Sequence, residues 1–90
     1  MSDLKSQLKD AQKAAMRAKD KARLTVIRGM LAAIKRIEVD ERIELDDARI
    51  LSVLDKMLKQ RRDSISQFEA AGRNDLADQE KYEMGVVQEF

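Results

Sequence analysis

Lys56, Lys59 and Arg62 stand within one short stretch of the chain, and Arg73 follows at the next turn signal. Ammonium and guanidinium groups make charge-assisted hydrogen bonds to phosphate oxygens. Folded RNA is recognised largely through its backbone and shape, so the chemistry these residues offer is phosphate contact. Arg28 and Lys35 make a second strip of the same kind. Catalytic chemistry is harder to assemble. The chain has no histidine and no cysteine. This removes imidazole bases, thiolate nucleophiles, disulfides and the usual zinc sites together. Thr25, Ser52, Ser64 and Ser66 therefore lack a histidine base, and there is no G-x-G-x-x-G or Walker phosphate loop. Glu38, Asp40, Glu41 and Glu44 lack the D-x-D-x-D spacing of a metal loop and read as an exposed helix end and loop. No cofactor or metal is implied, and stand-alone catalysis is not expected.

A blander reading of the same cations stands beside the phosphate one. Asp55, Asp63 and Glu69 are interspersed among them. Pairs such as Asp55–Lys59 and Lys59–Asp63, at helical i,i+4 spacing, would make an ordinary solvated face. The net charge of +1 conceals an asymmetry: residues 1–36 hold ten Lys/Arg against three Asp/Glu, and residues 37–90 hold eight against fourteen. The first third of the chain is thus where a basic patch is expected.

The element that carries Lys56, Lys59 and Arg62 runs from Asp46 to Gly72, without an internal proline or glycine. Ile50, Leu51, Leu54, Met57, Leu58, Ile65 and Phe68 fall within an arc of roughly 120° at about 100° per residue, which predicts an amphipathic helix. Asp46 is its expected N-cap, with Leu45 and Ile50 as a hydrophobic staple, and Gly72 its left-handed terminator. Arg61 falls near the middle of the apolar arc. A fourth helix, with Asn74 as N-cap, carries Leu76, Met84, Val87 and Phe90 on one face together with Glu80 and Glu83. A guanidinium on a packing face needs a carboxylate or a route to water. Pairing Arg61 with Glu80 or Glu83 across the Gly72 turn would fix the register of the two helices.

Upstream, a first helix starts at Ser2 or Asp3 with an apolar stripe of Leu4, Leu8, Ala11 and Ala15. Lys5, Lys9, Lys13 and Arg17 form a basic ridge beside it, either a solvated flank or a phosphate-facing surface. Lys19-Asp20-Lys21 joins it to a second helix, with Asp20 as cap and a stripe through Leu24, Ile27, Met30, Leu31, Ile34 and Ile37. Gly29 inside that helix is read as room for close approach of another backbone. The expectation is one all-α domain over residues 1–90: a compact bundle of about four helices in two hairpins, with a long third helix. Absence of cysteine fits a cytoplasmic protein, no apolar run reaches the length of a membrane span, and the start lacks a secretory apolar core.

Two stretches resemble a known family. AMRAKDKARLTVIRGMLAAIK (Ala15 to Lys35) is similar to the beginning of YqeY-like proteins, and MLKQRRDSISQFEAAGRNDLADQE (Met57 to Glu80) to their most recognisable motif. The resemblance implies kinship with the tail of the GatB subunit of tRNA-dependent amidotransferases, which helps to hold tRNA while the chemistry occurs elsewhere. It also implies association with an amidotransferase or an aminoacyl-tRNA synthetase, and a family label of carbon–nitrogen ligase activity. Members continue past the equivalent of Phe90 into a second small helical domain, so residues 1–90 correspond to the N-terminal helical domain. The expected role is a non-catalytic tRNA-contacting or amidotransferase-associated module. The alternative is a protein-docking module without RNA binding, using a leftover apolar face around Val86, Val87 and Phe90, or ligase activity by family membership.

Overall fold

A computed structural model describes residues 3–90. Ser2, one choice of cap for the first helix, lies outside the described residues. The fold is all-α, with four helices: α1 (Asp3–Arg17), α2 (Lys21–Glu41), α3 (Asp47–Ala70) and α4 (Asn74–Gln88). Local signals set most of the boundaries. The side chain of Asp20 accepts from the Arg23 amide, and that of Asp46 from the Arg49 amide, so α2 and α3 start where their caps predict. Gly72 takes a φ of 72° after α3, and the Arg73 amide donates back to the Phe68 carbonyl at 2.8 Å. Lys19 and Arg42 adopt the same left-handed conformation after α1 and α2, without being glycine.

Two terminal assignments change. The Leu4 amide, an orphan donor of the first turn of α1, donates to the Asp47 carboxylate from the start of α3 at 3.1 Å. This tie to α1 comes from a residue 43 positions further along the chain. Asn74 is the first residue of α4, not its cap; Arg73 holds the cap position with no side-chain bond to the helix. The acidic stretch after Ile37 is the expected helix end and loop, with α2 running to Glu41 and Asp46 capping α3.

The core is built from the expected stripes. Leu4, Leu8 and Ala15 of α1, Ile27, Met30 and Ile34 of α2, Ile50 and Leu54 of α3, and Val86 and Val87 of α4 belong to one buried cluster. Leu45 and Ile50 are both sealed in the same cluster. Three expectations drawn from the sequence change. Leu51, at the edge of the arc, is half exposed. Gly29 faces open space, and a Cβ there would meet nothing within 4 Å, so no backbone approaches it. Val86 and Val87 are 4% and 1% exposed, and Phe90 packs against the core. The docking face expected there is consumed by the bundle core, which the sequence of α4 alone does not reveal.

The α3–α4 and α1–α2 hairpins provide the most extensive contacts, and α1 and α4 do not meet among the described residues. The result is a flat body of 43 × 31 × 19 Å, two helix layers thick. Beyond Leu54, α3 has mainly α4 as a neighbour, so Met57, Leu58, Ile65 and Phe68 are only partly buried.

Polar ties cross between elements. The last turn of α2 is acidic and holds no basic residue, although carboxylates are disfavoured at the negative end of a helix. Other helices supply the cations. Lys5 of α1 pairs with Glu38, and Arg49 of α3 makes a bidentate contact to Glu41 at 3.0 and 3.2 Å. Glu38 also accepts from the buried Leu45 amide at 2.8 Å. Its bond to Lys5, then that amide, hold the Glu38 carboxyl below its ordinary range, and the same pairing raises Lys5. Glu38 is therefore not an exposed loop-end carboxylate. Arg23 reaches Glu89 from the start of α2 and lowers it in the same way.

Candidate functional site

Lys56 and Lys59 lie on α3 away from its packing face and Arg62 on the flank between them and that face, and all three are exposed. Helical periodicity fixes this: residues three apart step round the cylinder by about 60°. The Asp55–Lys59 and Lys59–Asp63 pairs of an ordinary solvated face do not form. Among the described residues, none of the three cations has a carboxylate within 4 Å. Arg73 lies past the α3–α4 turn and is engaged by Asp75 at 3.4 Å, with both side chains well exposed. It is a weaker candidate than the α3 group, because a ligand must compete with that carboxylate.

On the opposite side of α3, the Arg61 Nε lies 3.2 Å from Glu80 Oε2 and 3.2 Å from Glu83 Oε2 of α4. The side chains are about a quarter exposed. The Nε and Glu80 Oε2 are shielded from solvent, yet their contact lacks hydrogen-bond alignment, so the attraction is mainly that of charge. Burial, then the adjacent Glu83, push the Glu80 carboxyl above its usual range, with Arg61 opposing them. One guanidinium thus faces two carboxylates at the α3–α4 seam.

The second strip divides. Arg28 is exposed on α2. Lys35, two turns further along, lines a groove of about 800 Å³ between α1, the C-terminal part of α2 and the loop after it. Lys9 and Lys13 of α1 form one side of this groove, and Lys35 and Arg42 lie on the α2 side. These four make no ion pair among the described residues, whereas Lys5 is engaged by Glu38 and lies 3.6 Å from Glu44. Leu31, Ile34, Val39 and Ile43 give the groove an aliphatic lining. The ridge read from α1 therefore splits: Lys5, Lys9 and Lys13 enter the groove and Arg17 does not. Each i+4 step drifts by about 40°, so the fourth residue has rotated away by a third of a turn.

Sequence reasoning had the cations but missed the groove. Val39 and Ile43 were available as an i,i+4 apolar pair inside an acidic run. Arg42 at the α2 C-cap had no local signal, because its position depends on how the loop turns. Among the described residues, no group of three His, Cys, Asp or Glu side chains could hold a metal ion, and no helix is long and apolar enough to cross a membrane.

Comparison with known proteins adds a family. The Yqey-like protein family matches residues 5–90. The chain is similar to altered inheritance of mitochondria protein 41, mitochondrial, of Eremothecium gossypii, with 40% identity over 89 residues, covering 98% of this chain and 49% of that protein. The protein of the same name from Kluyveromyces lactis is 39% identical over 84 residues, covering 92% and 45%. That from Saccharomyces cerevisiae strain YJM789 is 38% identical over 86 residues, covering 94% and 46%. The chain spans about half the length of these curated relatives. They are mitochondrial by name, which overturns the expectation of a cytoplasmic protein. Lack of cysteine does not separate the two compartments.

Proposed function

This chain belongs to the Yqey-like protein family, and on that premise we propose that it is a non-catalytic helical module that contacts tRNA. The observation that carries the reading is the outer side of α3, where Lys56, Lys59 and Arg62 are exposed and, among the described residues, free of carboxylate partners. A surface of this kind meets phosphate without first breaking an internal ion pair. Arg28 of α2 and, more weakly, Arg73 extend the contact. Recognition is electrostatic and shape-based. The Arg61–Glu80–Glu83 cluster serves the architecture by holding α3 and α4 in register beneath the contact face.

The resemblance to the amidotransferase tail supports association with an amidotransferase or an aminoacyl-tRNA synthetase that carries out the chemistry. In this reading the ligase activity attached to the family belongs to that assembly, and residues 1–90 act as the N-terminal helical domain of a longer arrangement. An equilibrium titration of full-length tRNA over a range of salt tests the reading. Log K should fall linearly with log salt, with a slope of about −0.7 to −0.9 for each phosphate neutralised. Absence of binding at low salt, by this chain and by a form extended through the region its relatives carry, sinks it.

A further inference from the structure

The groove between α1 and α2 has a composition that phosphate contact does not require. Its cations are interleaved with aliphatic side chains: Lys9 and Lys13 lie on α1, and on the α2 side Lys35 stands one turn from both Leu31 and Val39, with Arg42 beyond them. Val39 and Ile43 are 61% and 42% exposed, among the most exposed large hydrophobic side chains of the fold. They continue the lining provided by Leu31 and Ile34. A nucleic-acid strand gains from cations and from aromatic platforms on which bases stack. None of the three aromatic residues, Phe68, Tyr82 and Phe90, lines this groove.

We propose that the groove docks an acidic amphipathic helix of a partner protein, its aliphatic stripe on Leu31, Val39 and Ile43 and its flanking carboxylates on Lys9, Lys13, Lys35 and Arg42. The fit is one of charge and pattern. A helix that carries an apolar stripe with acidic residues beside it presents the complement of an aliphatic lining interleaved with cations. From Lys5 to Lys13 the α1 wall runs for about 12 Å, enough to engage two helical turns of a ligand. Of the α1 lysines in the groove, Lys5 is tied to Glu38, whereas Lys9 and Lys13 have no carboxylate partner among the described residues. This site uses different residues from the α3 face proposed to meet tRNA, so either can fail without the other.

The test is a binding titration of the 90-residue chain with a stapled helical peptide of roughly 15 residues, Leu on one face and Glu on both flanks; the staple removes the cost of ordering a short helix. A peptide with Lys in place of each Glu is the control. The acidic peptide should bind, and the basic one should bind roughly tenfold or more weakly. Lys9→Glu/Lys13→Glu/Lys35→Glu and, separately, Val39→Ser/Ile43→Ser should each weaken the acidic peptide by roughly tenfold. Circular dichroism and the unfolding midpoint establish that both variants are folded, as expected for exposed positions. Equal binding of the two peptides, or no binding of either, overturns the proposal. It is equally overturned if tRNA binding depends on Lys9, Lys13 and Lys35, or if sedimentation shows a second copy of the chain in the groove.

Discussion

Glu38→Ala should be among the most damaging single changes at a polar position of this fold. The substitution removes two partners at once. The Leu45 amide, on a residue only 1% exposed, loses its acceptor at 2.8 Å. A shielded donor left unsatisfied costs about 1–3 kcal/mol. Lys5 loses its principal carboxylate but keeps Glu44 at 3.6 Å, so about 1 kcal/mol is a fair figure for that half. A small return offsets this, since a carboxylate in the last turn of α2 opposes the helix dipole by about 0.3–1 kcal/mol. The net loss is about 2–3 kcal/mol, or a fall in Tm of roughly 10–20 °C for a domain of this size. Glu38→Gln separates the contributions. It keeps an oxygen for the Leu45 amide and gives up only charge, so it should cost about 1 kcal/mol or less. Urea unfolding at pH 7, followed by circular dichroism, measures both. The folded-state pKa of Glu38 is lowered, so its stabilising effect is present above the unfolded pKa and lost as pH falls through the folded value. The gap between the wild-type protein and Glu38→Gln should therefore close in acid. Equal stability of the two variants, or a Glu38→Ala loss under about 0.5 kcal/mol, would refute the reasoning, because the shared acceptor would then contribute little.

Other outcomes follow from the same structure. Arg61→Leu should lower stability at pH 7 by about 1–3 kcal/mol, because Glu80 and Glu83 are left facing each other without a cation. Glu80 has a raised folded-state pKa, so its proton-linked stabilisation is present in acid and lost as pH rises through that value. The Arg61→Leu defect should accordingly shrink towards pH 4; a gain in stability at pH 7 with the fold intact would remove the architectural role. Gly29→Ala should add about 0.5–1 kcal/mol, since an alanine there meets open space inside a helix, whereas Gly72→Ala should cost about 1 kcal/mol at its φ of 72°. Thermal unfolding of the two alanine variants gives the sign of each, and a loss at Gly29 would mean that the solvent face of α2 is occupied.

Much of the fold was legible because its signals are local. Asp20, Asp46 and Gly72 mark helix ends by chemistry acting over three or four residues, and the stripes of α1 and α2 are read directly from a period of 3.6. What escaped is what depends on packing across the chain. Asp47 reaching the first turn of α1 is a contact between residues 43 apart in sequence. Glu38 looked like a loop carboxylate because neither Lys5 nor the Leu45 amide is predicted by spacing. Val86 and Val87 looked available because the wall that covers them belongs to other helices. The candidate site follows the same division. That Lys56, Lys59 and Arg62 share the outer side of α3 was legible from their phase, while the meeting of Lys35 with Lys9 and Lys13 required the angle of the α1–α2 hairpin. Arg61 was conspicuous because a charged residue sat in phase with aliphatic ones.

The most direct measurement is the salt dependence of tRNA affinity for the wild-type chain and for a Lys56→Gln/Lys59→Gln/Arg62→Gln variant, with a Lys9→Gln/Lys13→Gln/Lys35→Gln variant of the α1–α2 groove as comparison. If the outer face of α3 meets the phosphates, the α3 variant should bind more weakly by about tenfold or more at low salt, and its log–log salt slope should be shallower by about 2–3. The groove variant should retain the wild-type slope. An α3 variant that binds tRNA with unchanged affinity and slope would contradict the account.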